Sequence, residues 1–211
     1  MSEDIPCLSP ALGVLLSLQM GSRPLTRIRL RQLAAGTEEL YAAFSPDRSR
    51  LLTGGDGAKP TVHVWDVETG KCLHELHGHR GPVAAVAWTH DQQRVASGAF
   101  DGCVRLWDLS SGNCIRVIEG HPSYVRSVAF SRSSDELLSG AGDGACRLWN
   151  LTDGQLMRSF HGHTDGVYRA VFTPDELGIL SVGRDHTIRC FRRRFVCSSA
   201  ATRRLRSWSS R

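Results

Sequence analysis

A 42-residue step, repeated along the chain, constrains its fold more than any other feature. Trp65, Trp107 and Trp149 lie 42 residues apart, and Phe191 falls on the next step. Gly78-His79, Gly120-His121 and Gly162-His163 keep the same interval. So do Asp101, Asp143 and Asp185, and Ser97, Ser139 and Ser181. Four residue classes in phase mean one small unit repeated and stacked, because a unit of this length cannot bury an apolar face alone.

Within a period the order is constant. After Gly-His comes a short alternating run, Val83 to Trp88 or Val125 to Phe130, then a polar turn such as Thr89-His90-Asp91 or Thr173-Pro174-Asp175. A second run ends in Ser-Gly or Ser-Val: Arg94 to Gly98, Glu136 to Gly140, Gly178 to Val182. A tight Asp-Gly or Asp-His turn leads to a third run, Cys103 to Trp107 or Ala145 to Trp149. A Gly-containing turn then leads to a fourth, Cys72 to Leu76 or Asn113 to Ile118. Runs of about five residues with β-branched or aromatic side chains, punctuated by Gly, Asp and Asn, predict four strands per period. No stretch sustains the 3.6-residue apolar period of a helix.

The stretches VASGAFDGCVRLWD and LLSGAGDGACRLWN, each preceded by Gly-His, resemble the WD-repeat β-propeller family in residue type and spacing. The resemblance covers about Leu33 to Phe191. It implies an all-β fold, a small or partial propeller of about four four-stranded blades set around a channel. The expected layout is a weakly structured segment at 1–24, blades at 25–191 and a basic, disordered tail at 192–211.

His79, Ser97 and Asp101 have the residue types of a nucleophilic triad. The same trio returns as His121, Ser139, Asp143 and as His163, Ser181, Asp185, and no nucleophile elbow or oxyanion loop accompanies any copy. An enzyme seldom builds one active site three times, so no catalytic role is expected. The resemblance implies a buried hydrogen-bond chain instead, in which His, Asp, Ser and the indole of Trp107 or Trp149 join the loop before the first strand to the turn between the second and third. The last repeat has Phe191 in the indole's place. In the first, Thr37 follows Gly36 where His is usual, Thr53 stands for Ser, and Asp56 to Trp65 is three residues longer than Asp101 to Trp107.

Composition narrows the function classes. Hydrophobic residues make up 41% and charged residues 22%, which suits a globular chain. The net charge is +5, but the last twenty residues hold seven arginines (Arg192, Arg193, Arg194, Arg203, Arg204, Arg206, Arg211) and no acid. Removing that tail leaves the body at −2. Basicity confined to a tail does not make the body a nucleic-acid binder, so no nucleic-acid partner is expected. The seven cysteines form no C-x-x-C pair, and no metal or cofactor is expected. Reduced thiols point to a cytoplasmic location, with the nucleus as the alternative. The apolar run Ala11 to Leu18 is shorter than the ~20 residues of a membrane span, and Glu3 and Asp4 precede it where a secretory signal carries positive charge. The stretch Gly54 to Lys59 lacks phosphate-loop spacing and reads as a hairpin turn.

Rings of this family most often hold seven blades, about 290 residues. Several outcomes fit 211 residues. An N-terminal strand at Leu25 to Leu33 completes the last blade of a four-blade ring; two chains pair into an eight-blade ring; the chain is a truncated product; or it forms an open arc. The resemblance also implies contact places three and five residues after the Gly-His histidine and just before the tight-turn Asp. These are Pro82, Tyr124 and Gly166; Ala84, Arg126 and Tyr168; and Phe100, Gly142 and Arg184. Phe100, Tyr124, Arg126, Tyr168 and Arg184 are aromatic or guanidinium groups of the kind interfaces favour. The expected function is a protein–protein interaction scaffold that holds an acidic or amphipathic protein or peptide on this face. The alternative is a structural subunit that needs self-association or a partner chain to complete it.

Overall fold

The computed structural model describes residues 39–55 and 60–193. Fifteen strands fall into four antiparallel sheets in which each strand pairs with the next in sequence. The first sheet holds β1 (Glu39–Phe44), β2 (Arg50–Gly55), β3 (Thr61–Asp66) and β4 (Cys72–His77). The second holds β5 (Val83–Trp88), β6 (Arg94–Ala99), β7 (Val104–Asp108) and β8 (Cys114–Ile118). The third holds β9 (Val125–Phe130), β10 (Glu136–Ala141), β11 (Cys146–Asn150) and β12 (Leu156–Phe160). The fourth has three strands, β13 (Val167–Phe172), β14 (Gly178–Gly183) and β15 (Ile188–Arg192). No helix occurs among the described residues, and none is therefore long and apolar enough to cross a membrane.

The turns recur because the residues that make them recur. Between the first two strands of each sheet a hydroxyl closes the turn. Ser45, Thr89, Ser131 and Thr173 accept the amides of Arg50, Arg94, Glu136 and Gly178 at 2.9–3.1 Å. Between the third and fourth strands the residue after Trp caps the turn: the Asp66, Asp108 and Asn150 side chains accept the amides of Thr69, Ser110 and Thr152 at 2.6–2.7 Å. Thus the Asp of the Trp-Asp pair starts a turn, as Asx residues do.

The sheets stack face to face through three apolar layers. Leu52, Val62, Val64 and Leu76 of the first sheet pack on Val83, Val95, Trp107 and Leu109 of the second. Ala96, Val104, Leu106 and Ile118 meet Val125, Leu137, Trp149 and Leu151. Leu138, Cys146, Leu148 and Phe160 meet Val167, Ala170 and Ile179. The inner strands β1, β5, β9 and β13 touch in that order, and no contact of like extent returns from β13 to β1 among the described residues. They therefore form a four-sheet arc of a small propeller. The strand read at Leu25 to Leu33, the first-repeat positions Gly36, Thr37 and Asp56, and residues 194–211 lie outside the described residues. Of the residues the sequence places in the tail, Arg192 belongs to the last sheet and Arg193 directly follows it. β15 ends at Arg192, and Arg193 is buried against Glu136 and Glu176.

Candidate functional site

Ser97, Ser139 and Ser181 are all 0% exposed, so no substrate reaches their hydroxyls. The Trp107 indole N–H donates to Ser97 Oγ at 2.8 Å, Ser97 Oγ lies 2.7 Å from His79 Nε2, and His79 Nδ1 lies 2.9 Å from Asp101. An ionised Asp only accepts, so the His79 proton sits on Nδ1 and Nε2 accepts the Ser97 hydroxyl. The third repeat repeats the set: Trp149 to Ser139 at 2.8 Å, His121 to Ser139 at 2.7 Å and His121 to Asp143 at 3.3 Å. In the fourth, His163 meets Ser181 at 2.7 Å and Asp185 at 2.9 Å, while Phe191 packs on Phe160. In the first, the Trp65 indole donates to Thr53 at 2.9 Å.

Burial would raise the Asp101 carboxyl, but hydrogen bonds from His79 and from the Arg80 and Cys103 amides outweigh it and hold the pKa at about 2. Asp143 and Asp185 are likewise held below the ordinary carboxylate range, by Arg147 and the Ala145 amide and by His163 and Thr187, again against burial. His121 is pushed down to about 4 by burial and then by the Arg147 charge, against the pull of Asp143. The Arg147 guanidinium lies against both His121 and Asp143. Arg105, Arg147 and Arg189 form a fifth class at the 42-residue step, two residues before the Trp place, which the sequence reading missed although the period displays it.

These chains hold one face of the arc. The Phe100, Gly142 and Arg184 amides, each just before the tight-turn Asp, donate to the carbonyls of Pro82, Tyr124 and Gly166 at 2.8–2.9 Å. Two of the three contact classes are thereby tied together in the second, third and fourth repeats. The aromatic and arginine side chains converge on this face. Phe100 and Tyr124 stack with centroids 5.1 Å apart. The Arg126 guanidinium lies over three rings, 5.3 Å from Tyr124, 5.6 Å from Tyr168 and 5.8 Å from Phe100. The three rings come from the second, third and fourth repeats. Arg126 Nε is buried without a hydrogen bond, whereas Phe100 and Tyr168 are 44% and 46% exposed. Gly142 gives the Tyr124 ring its room: a Cβ there would lie 2.5 Å from Tyr124 Cζ. Arg184 stands apart, paired with Asp165 at 3.7 Å. Among the described residues no three His, Cys, Asp or Glu side chains are grouped to hold a metal.

The sequence profile of the WD domain, G-beta repeat, matches residues 70–108, 112–150 and 154–192. The chain belongs to the WD-repeat family. This WD-repeat chain is similar to the human protein Atg16l2, 44% identical over 64 residues, covering 29% of the chain and 10% of that protein. It is also similar to Protein ROOT INITIATION DEFECTIVE 3 of Arabidopsis thaliana, 28% identical over 116 residues, 47% of the chain and 26% of that protein. Periodic tryptophan protein 2 of Saccharomyces cerevisiae is 31% identical over 83 residues, 38% of the chain and 9% of that protein. The chain thus spans about a quarter or less of the length of these relatives.

Proposed function

We propose that this WD-repeat chain binds a protein or peptide segment on the face built by Phe100, Tyr124, Arg126 and Tyr168, with Arg184 at its edge. The observation that carries the reading is the Arg126 guanidinium held over three rings, two of which, Phe100 and Tyr168, are nearly half exposed. A stacked guanidinium keeps its edge N–H groups available to a carboxylate, while the rings around it supply apolar area. The segment that suits it carries an acidic residue beside an apolar one. The reading is non-catalytic: the three Ser-His-Asp sets are spent on holding the loops, and their serines are buried. Its compartment is proposed as the cytoplasm or the nucleus, on the strength of the five free thiols among the described residues.

Peptide display on the purified protein, followed by titration of the selected peptides, tests this. Arg126→Ala and Tyr168→Ala are each expected to weaken binding about thirtyfold, the loss of one hot-spot side chain of about 2 kcal/mol. Binding that is unchanged in both variants removes this face from consideration. A second reading, a subunit completed by self-association or by a partner chain, draws on the apolar side chains of the first and last sheets that no described residue covers.

A further inference from the structure

The arc makes the same apolar contact three times, and each end carries one half of a fourth. On the trailing face of the first three sheets, one set of positions is closed off by the next sheet. In the third sheet these are Leu138, Cys146 and Leu148, at 0%, 0% and 3% exposure. Strand pairing places Leu180, Ile188 and Cys190 at the same positions of the last sheet. Leu180 pairs with Cys190 and Val182 with Ile188, as Leu138 pairs with Leu148. There Leu180 is 38%, Val182 42% and Ile188 74% exposed, and Cys190 is exposed as well.

The leading face of the first sheet shows the other half. Phe44 and Val67 occupy the positions of Trp88 and Leu109, which seal the second sheet against the first. Trp88 and Leu109 are 9% and 6% exposed, whereas Phe44 and Val67 are 43% and 40% exposed. The two bare faces are thus of opposite kind, one that is covered and one that covers, and they complement each other as neighbouring sheets do inside the chain.

We infer that a second copy of this chain docks head to tail, the Leu180, Val182 and Ile188 face of one on the Phe44 and Val67 face of the other, twice about a two-fold axis. The contact continues an interface the molecule already makes three times, so it needs no new packing solution. The four described sheets of each of two chains give eight, within the about 4–8 blades that propellers close with. Each of the two contacts joins unlike faces, and the two-fold axis that exchanges them makes the dimer interface as a whole isologous and closed. One staple is absent from it. Arg132 donates its amide to Glu176 of the next sheet, but the matching place in the last sheet is Pro174, which has no N–H. The apolar layer therefore carries the contact.

Sedimentation equilibrium of the full chain, with Ile188→Asp and Val67→Asp variants checked for folding by circular dichroism, tests this. The wild type is expected to be a dimer, and each variant alone a monomer with the wild-type spectrum. Mixing the two variants is expected to restore a weaker one-to-one pair, because one still has a sound leading face and the other a sound trailing face. Should either variant lose its fold, Phe44→Glu and Val182→Lys replace them in the same mixing experiment. A wild type that stays monomeric at every concentration overturns the inference, whether its ends close on each other or remain bare. A dimer that survives both substitutions, or a mixture that stays monomeric, overturns the head-to-tail contact.

Discussion

His121 is the residue at which the fold meets pH. Its side chain is 1% exposed and faces the Arg147 guanidinium as well as Asp143, and burial with that charge pushes its pKa down from 6.5 to about 4. A histidine whose folded pKa is depressed binds its proton in the unfolded state first. Its contribution to stability is therefore complete above pH 6.5 and declines as pH falls toward 4. The loss expected over that window is about 3 kcal/mol. Asp101 adds a second window, its contribution lost as pH falls from about 4 to about 2. Denaturant titrations between pH 7 and 4 check the first, and a His121→Gln variant should show a markedly flatter dependence. The histidine, serine, aspartate and tryptophan of these chains were all legible from their common period. Arg147 as a neighbour was not, because an arginine two residues before a tryptophan on an alternating strand reads as a solvent-facing charge.

At the scale of the sheet, the four repeats reach one architecture with unequal parts. The second and third have the whole chain of His, Asp, Ser and Trp; the fourth replaces the indole with Phe191 packed on Phe160. The first keeps the Trp65 indole but supplies Thr53 as acceptor, both buried. Thr53→Val keeps the shape and removes the acceptor, leaving a buried indole N–H unmatched at a cost of about 1–3 kcal/mol. Thermal unfolding compared with wild type reads that loss directly, and an unchanged Tm means the indole finds another acceptor. Pairing within each sheet followed from alternation and turn residues because these are local. The burial of Arg193 did not. An arginine following Phe191-Arg192 looks like the start of a basic tail, and only the approach of Glu136 from the start of β10 and of Glu176 from the turn between β13 and β14 makes it part of an inward-facing ion cluster.

Over the described residues, the stacked layers run without interruption from the first sheet to the last, and no described residue covers Phe44 and Val67 at one end or Leu180, Val182 and Ile188 at the other as neighbouring sheets cover their counterparts. Uncovered apolar area at both ends of a stack favours association, and association that selects the folded state stabilises it by mass action. If two copies complete one ring, Tm depends on concentration. A hundredfold dilution is expected to lower it by about 3–6 °C, from the corresponding loss of association free energy shared between two chains. Differential scanning fluorimetry across that range checks it, and a constant Tm speaks for a self-sufficient arc. The aromatic and arginine face also belongs to this scale, since its rings come from three repeats and only the stacking of sheets places them around Arg126.

The amino-acid sequence by itself determined the repeat, its four-strand unit, the turn at each end of a strand and the members of each buried polar chain. All of these depend on residues close in sequence or recurring at one interval. The tertiary structure alone decided that Phe100, Tyr124 and Tyr168 share one guanidinium while Arg184 turns to Asp165, and that among the described residues β13 and β1 do not meet as the other inner strands do. Side-chain convergence and ring curvature depend on the angle accumulated between successive sheets, and that angle is set by packing volumes summed across every layer, which no single repeat encodes.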